Sequence, residues 1–507
     1  MSKRVRSLII VGVVTVALVG VLAALLLLVP ENAGESSEPE STADLSVELI
    51  DKTIGADGAT VSKPVKKAVF TARDETFTLV QSADGDMVVE AFSDLPRATF
   101  TIDALVSYLS DMTAVKMVVE NSDNQSDFGF DNPETKIEVT YHDDSVSYIE
   151  VGDETPTKSG HYVRMGKSGP IYIVDSSSTN AFLQKAVAYI GTEIMTAPET
   201  DSADQTQAAV MYSVTLGGTS REKEMVMRIK KEGDDADLAN YSHIMTAPYL
   251  TGTNMNTTAP VVSLSNTTSF TATKAVEAHP SKEKLKEYGL DKPFSTAEFC
   301  LAVQTTPTEE DAVPSYSKFV YYKFLLGNKD EDGNYYVMCS NIDAVYLCSE
   351  MTAFWAKTKW DELATNMLFL IDITTISGIS VDVNGQTTDF KLAHYPEEEE
   401  RDDMMTVTTG DKVYATDHFR SLYQVFMMAT RYGPLEKTPS GIPEITISIK
   451  RTSSDLKDRV IRFYKQDASL YACVAEGGES YSVKNSDVAF LKLQIQNYLD
   501  GKKVETK

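Results

Sequence analysis

Three times along this chain two tyrosines stand ten residues apart in β-rich sequence: Tyr162 and Tyr172, Tyr336 and Tyr346, Tyr471 and Tyr481. Each pair sits in two short runs around a polar turn, which predicts a β-hairpin. The runs are His161-Tyr162-Val163 with Ile171-Tyr172-Ile173-Val174, Tyr335-Tyr336-Val337 with Val345-Tyr346-Leu347, and Leu470-Tyr471-Ala472 with Tyr481-Ser482-Val483. An aromatic follows each hairpin, at Phe182, Phe354 and Phe490, where a helix is expected to open. A hairpin that recurs at long intervals demands a repeated supersecondary unit.

A second mark precedes the first two hairpins. Phe128-Gly129-Phe130-Asp131-Asn132-Pro133 matches Tyr288-Gly289-Leu290-Asp291-Lys292-Pro293. Glycine supplies an unusual backbone angle, and Asp and Pro then set a turn before the next strand. The third copy keeps only Tyr432-Gly433 and a later Pro443. Ahead of this element, Leu105, Tyr108, Leu109 and Met112 share a helical face, as do Phe419, Leu422, Tyr423 and Phe426; the second copy is vaguer, around 261–276. The chain therefore reads as three α+β units of antiparallel sheet with flanking helices, over 66–198, 206–366 and 369–503, the second with an insertion around 305–317.

The order helix, Tyr-Gly-Leu-Asp-Lys-Pro turn, strands, a glycine (Gly152, Gly327) and a tyrosine-bearing hairpin resembles the bacterial domain of unknown function 4340, DUF4340. The resemblance covers most of the chain beyond residue 66. It implies tandem copies behind an N-terminal anchor, outside the cytoplasm, in genes near gliding-motility-type or related ABC transport systems. It brings no catalytic residues to carry over.

The N-terminus carries its own signal. Leu8 to Val29 is a run of 22 residues without charge, broken only by Gly12, Thr15 and Gly20. As a helix at ~1.5 Å per residue it reaches about 33 Å, enough to cross the hydrocarbon core. Lys3, Arg4 and Arg6 precede it, while Glu31, Glu35, Glu38, Glu40 and Asp44 follow it. Positive charge stays inside, so residues 1–7 are expected in the cytoplasm, 8–29 in the cell membrane as an uncleaved single-pass signal anchor, and 30–65 outside as an acidic disordered tether. A cleaved signal peptide is the competing reading, but its apolar region is shorter, and Pro30-Glu31-Asn32 is a poor approach to a cleavage site.

The local motifs that suggest chemistry each have a plainer reading. Gly160 to Ser168 imitates a phosphate-binding loop, but five residues separate its glycines instead of four, and it falls on a hairpin. Asn328-x-Asp330-x-Asp332-Gly333 imitates half a calcium loop, but its twelfth position is Cys339, and an acidic turn is favoured. The run Glu397 to Glu400 with Asp402 and Asp403 reads as a solvated loop. Six histidines form no pair with metal spacing, and His418, just before an apolar helix face, reads as structural. Ser281-x-x-Lys284, Ser315-x-x-Lys318 and Ser454-x-x-Lys457 lack the partners of penicillin-binding chemistry. With Tyr336 and Tyr346 facing each other, Cys339 and Cys348 fall on opposite faces of their hairpin, so free half-buried thiols are expected over a disulfide.

No catalytic residue, cofactor or metal site is thus expected, and the signature residues read as structural: Gly129, Asp131, Pro133, Gly152, Tyr162, Tyr172, Gly289, Asp291, Pro293, Gly327, Tyr336, Tyr346, Tyr471 and Tyr481. A balance of 47 basic against 74 acidic side chains, a charge of −27, argues against a nucleic-acid partner. The expected role is a non-enzymatic accessory or assembly subunit of an envelope transport complex, bound to the bilayer through residues 8–29 and to an envelope protein, with ABC transporter subunits as the class of partner. The alternative is a module that stacks wall glycan on its tyrosines; a hydrolase with carboxylates distant in sequence is the third reading.

Overall fold

The computed structural model describes residues 46–506 except 55–59, 121–124, 232–233, 235–241, 249–252, 255–258, 309–312, 364–370, 395–404, 428–429, 436–438, 455 and 477–479. The expected anchor and most of the tether lie outside the described residues, as does the acidic run at 397–403. Among the described residues no helix is long and apolar enough to cross a membrane.

Three large antiparallel sheets follow one another. The first contains β1 (Val65–Ala72), β2 (Thr76–Gln81), β3 (Met87–Val89), β4 (Lys116–Val119), β5 (Thr135–Tyr141), β6 (Val146–Glu154), β7 (Gly160–Met165) and β8 (Ile171–Asp175), in the order β3-β2-β1-β5-β6-β7-β8-β4. The second contains β9 (Gln207–Gly217), β10 (Met225–Ile229), β11 (His243–Ala247), β12 (Thr253–Asn254), β13 (Lys274–Ala278), β14 (Ser295–Thr305), β15 (Ser315–Lys329), β16 (Tyr335–Cys339) and β17 (Ala344–Cys348), in the order β12-β11-β10-β9-β14-β15-β16-β17-β13. The third contains β18 (Ile376–Val383), β19 (Gln386–His394), β20 (Met405–Thr409), β21 (Lys412–Tyr414), β22 (Gly433–Pro434), β23 (Ile445–Arg451), β24 (Arg459–Lys465), β25 (Leu470–Ala475) and β26 (Ser480–Lys484), in the order β21-β20-β19-β18-β23-β24-β25-β26-β22. Apart from the extra outer strand of the second and third, the three orders are the same. Each chain path runs a meander outward from the centre, crosses to the opposite edge, and returns through a second meander.

Helices make the crossings and close the units: α1 (Thr99–Ser110), α2 (Ser176–Phe182), α3 (Ala259–Ser265), α4 (Lys282–Glu287), α5 (Thr416–Met427) and α6 (Asn485–Leu499). The strands obey the two-residue period. In β5, Ile137, Val139 and Tyr141 are buried while Lys136 and Glu138 face solvent. In α1, Ile102, Leu105 and Leu109 go inward, and in α5, Phe419, Leu422, Tyr423 and Phe426 do so. The closing helices start before the expected aromatics. Asp175 caps α2 by accepting from the Ser177 and Ser178 amides at 2.8 and 3.2 Å, so Phe182 ends that helix instead of opening it. Phe490 likewise lies inside α6, while Phe354 does open a single 3₁₀ turn, Phe354–Ala356.

That turn is held by Arg221. Its guanidinium donates to the carbonyls of Trp355, Thr358 and Gly217 and to the Ser295 hydroxyl, and burial pushes its pKa down to about 10. The first and second cores adjoin. Phe92 packs against both, and Leu95, Ile190, Ile194 and Met195, all inside the span expected for the first unit, are buried in the second core. Glu193–Met195 pairs with Phe270–Thr271 to carry the chain across.

Candidate functional site

The signature residues of the first two sheets form one backbone device. Gly129 and Gly289 have φ of +80° and +71°, the left-handed region glycine enters without strain. The carbonyl preceding each lies on a strand glycine. A Cβ on Gly152 would come within 2.0 Å of the Phe128 oxygen, and one on Gly327 within 2.0 Å of the Tyr288 oxygen. The Asn328 amide donates to that Tyr288 oxygen at 2.7 Å, and its side chain donates to the Glu287 carbonyl at 3.1 Å. Both strand glycines sit where β6 and β15 slip register against the next strand, the signature of a bulge. The ring before each turn glycine then meets the first hairpin tyrosine: Phe128 is edge-on to Tyr162 at 5.0 Å, and Tyr288 stacks on Tyr336 at 4.4 Å. Asp131 and Asp291 are exposed at the turn, with Pro133 and Pro293 leading into the strands.

The tyrosine pairs do not face each other. Tyr162 stands opposite Ile173 and Tyr172 opposite Val163; Tyr336 stands opposite Leu347 and Tyr346 opposite Val337. One tyrosine of each pair therefore lies on the outer face and the other on the core face. The third sheet differs: Tyr471 opposes Val483 and Tyr481 opposes Cys473, and both rings are buried in the third core. Gly433 there belongs to edge strand β22, with open space around it, and has no part in such a turn.

The same one-residue offset corrects the cysteine expectation. Cys348 stands opposite Tyr335, four positions along the strand from Cys339, and both thiols fall on the core face, fully buried. None of the four buried cysteines is in a disulfide, and burial pushes the Cys348 thiol up to about 12.

The remaining motifs resolve into local structure. Gly166 to Gly169 is a hairpin tip between β7 and β8. Asp330 Oδ1 accepts from the Asp332 and Asn334 amides at 3.1 and 2.8 Å, closing the turn between β15 and β16. The histidines lie apart. His161 meets the Thr179 hydroxyl at 3.0 Å, His243 the Met211 carbonyl at 2.7 Å, His394 the Ile376 carbonyl at 2.6 Å and His418 the Lys502 carbonyl at 2.8 Å. Among the described residues no group of three His, Cys, Asp or Glu is placed to hold a metal.

Three surfaces remain as candidates. The first is a cleft of about 920 Å³ between the first and second sheets, lined by Arg97, Phe100, Lys185, Glu193 and Lys274 among others. Its Arg97 is paired with Asp103 and its Lys185 with Asp74 at 2.8 Å, so these cations are already matched. The second is an arm at the insertion expected around 305–317. There β9, β14 and β15 run to 11, 11 and 15 residues, against 8, 7 and 9 in the first sheet. Register shifts near Tyr212 and Phe319 bring Tyr212 edge-on to Tyr316 and Phe319, at 5.2 and 5.0 Å, beside Tyr321, which is 68% exposed. Sequence reasoning missed this cluster because its rings come from separate strands. The third surface is the outer edge of the first sheet, strand β4, where Val115, Met117 and Val118 are 51%, 49% and 39% exposed.

The model of one family, described as a domain of unknown function (DUF4340), matches residues 89–293 and 263–423, together 335 of the 507 residues. The chain belongs to the DUF4340 family. The two DUF4340 matches overlap in the second sheet: the first runs from β3 to Pro293, just ahead of β14, and the second from α3 into α5. Strands β23 to β26 lie beyond them, in the sheet that lacks the glycine turn. No curated protein and no solved structure matches the chain.

Proposed function

We propose that this DUF4340 protein is a membrane-tethered, extracytoplasmic accessory or assembly subunit of an envelope transport complex, acting by holding a protein partner and not by catalysis. The observation that carries this reading is the triplicated sheet order, with the signature residues of each unit spent on packing. A stacked array of this kind offers a long surface to a macromolecule. The uncharged run at 8–29 supplies the anchor, and membrane subunits of an ABC-type transporter are the partner class that the family resemblance implies. The test is in-cell crosslinking, gentle detergent extraction and mass spectrometry, with a form lacking residues 1–30 as control. Stoichiometric recovery of transporter subunits, lost without the anchor, supports the reading; recovery of the chain alone, or with wall fragments only, sinks it.

The exposed rings of Phe319 and Tyr321, beside the half-buried Tyr212 and Tyr316, favour a second reading, wall-glycan binding, at the arm instead of the hairpin tyrosines. On that reading Tyr321→Ala abolishes retention on purified wall glycan, while Tyr336→Ala leaves it unchanged.

A further inference from the structure

The first two sheets carry the same bulge over different chemistry. Two residues ahead of its strand glycine, β6 has Glu150 where β15 has Leu325; two residues past its hairpin tyrosine, β7 has Arg164 where β16 has Met338. Each set stands directly opposed across its two strands, Glu150 to Arg164 and Leu325 to Met338. In the second sheet the two apolar side chains pack against Tyr288, Leu290 and Val345. In the first they are replaced by an ion pair, with Glu150 only 7% and Arg164 only 5% exposed. Arg164 donates through Nε and Nη2 to one Glu150 oxygen, at 2.7 and 2.5 Å. The Phe130 ring lies 4.6 Å from the guanidinium, and Lys136 stands 3.8 Å from the other Glu150 oxygen. Taking two charges out of water consumes most of what their attraction returns, and a well-packed apolar pair is often as stable or more so. The second sheet holds that apolar alternative at the same place, so stability alone does not account for the charges.

Register does account for them. At a bulge a strand can slip by one residue, and such a slip turns its side chains over to the other face. In β6 the slip carries Glu150 into the first core and away from Arg164, which a buried charge does not tolerate. In β15 the same slip carries in Leu325, which an apolar core accepts, so the second sheet needs another fastening. Asn328 is placed to supply it, donating its side-chain amide to the Glu287 carbonyl at 3.1 Å. Asp153 holds the matching place beside Gly129, and a carboxylate has no N–H to donate. We propose that the buried Glu150–Arg164 pair sets the register of β6 at its bulge, the task Asn328 performs in the second sheet, and so keeps Phe128 edge-on to Tyr162. The pin operates whatever the chain binds.

The test gives the first sheet the residues of the second, in the full chain. Glu150→Leu combined with Arg164→Met is expected to melt no lower than wild type, while hydrogen exchange in peptides over 126–131 and 148–154 speeds up about tenfold. Adding Asp153→Asn, which puts an amide donor back at the bulge, is expected to return both peptides to within about threefold of the wild-type rate. Unchanged exchange in the paired variant overturns the proposal. So does faster exchange that Asp153→Asn leaves uncorrected, since the pair then does no more than fill space. If the paired variant does not fold, Asp153→Asn in the wild-type background decides. Exchange slowed about threefold in the same peptides supports the pin, and exchange at the wild-type rate overturns it.

Discussion

The second and third sheets share one strand order but pin the start of their second meander by different means. In the second, backbone meets backbone: the Tyr288 carbonyl presses on Gly327, and the Asn328 amide donates to it. In the third, side chains do the work. Glu444, just ahead of β23, accepts from the Tyr471 hydroxyl at 2.7 Å and from Lys492 of α6 at 2.6 Å. Strand periodicity is therefore enough to set the topology, and the glycine turn is one of two ways to fasten it. The DUF4340 matches, which cover both glycine turns, end at residue 423, before β23.

The sharpest way to break this comparison is to truncate matching tyrosines. Tyr471 is buried in the third core, so Tyr471→Ala is expected to cost about 4 kcal/mol. Tyr336 lies on the outer face against Tyr288, and Tyr336→Ala should cost about 1.5 kcal/mol. Urea unfolding read sheet by sheet through hydrogen exchange checks both, and equal losses would mean the hairpins are equivalent after all. Next comes the glycine contrast. Gly327→Ala puts a methyl 2.0 Å from a carbonyl oxygen and is expected to cost about 3 kcal/mol, with loss of exchange protection centred on the second sheet. Gly433→Ala enters open space and should stay within about 0.5 kcal/mol.

Smaller effects sharpen the third-sheet network. Glu444→Gln should cost about 1 kcal/mol in thermal melting at neutral pH. Its Lys492 and Tyr471 partners hold the Glu444 carboxyl below its ordinary value of 4.5, so that stability is present above the ordinary range and lost as pH falls through the lowered value. The wild-type advantage over Glu444→Gln should shrink accordingly in acid. Smallest is the contact between the first two units. His279 lies 3.1 Å from Asp343 and 3.4 Å from Asp94, and the Asp343 hydrogen bond leads the effects that raise its pKa above 6.5. Its contribution is full below pH 6.5 and disappears as pH rises through the raised value. At 40% exposure solvent screens the pair, so His279→Gln should cost no more than about 0.5 kcal/mol at pH 5.5 and nothing near pH 9.

Much of the fold was legible because it rests on local pattern. The Gly-Pro turns, the paired β-runs and the inward faces of α1 and α5 follow from turn chemistry and from periods of 2 and 3.6. Register was not legible. A shift of one residue moved Tyr336 off Tyr346 and put Cys339 and Cys348 on the same face, and nothing in the spacing of ten fixes that choice. The passage of Ile190, Ile194 and Met195 into the second core was equally hidden, because an apolar residue does not name the core it joins. The candidate surfaces were least legible. The aromatic arm and the β4 edge are made by long-range pairing, and only the strand order reveals which strands stand at the edges among the described residues.

Among the described residues β13 is covered by the unit before it and β4 is not, and the most direct test is backbone hydrogen exchange of the full chain, comparing peptides over 112–120 with those over 272–279. The account predicts fast exchange at β4 and slow exchange at β13 in the purified protein. Equal protection of the two edges in the purified chain would contradict it, since the first edge would then already be covered.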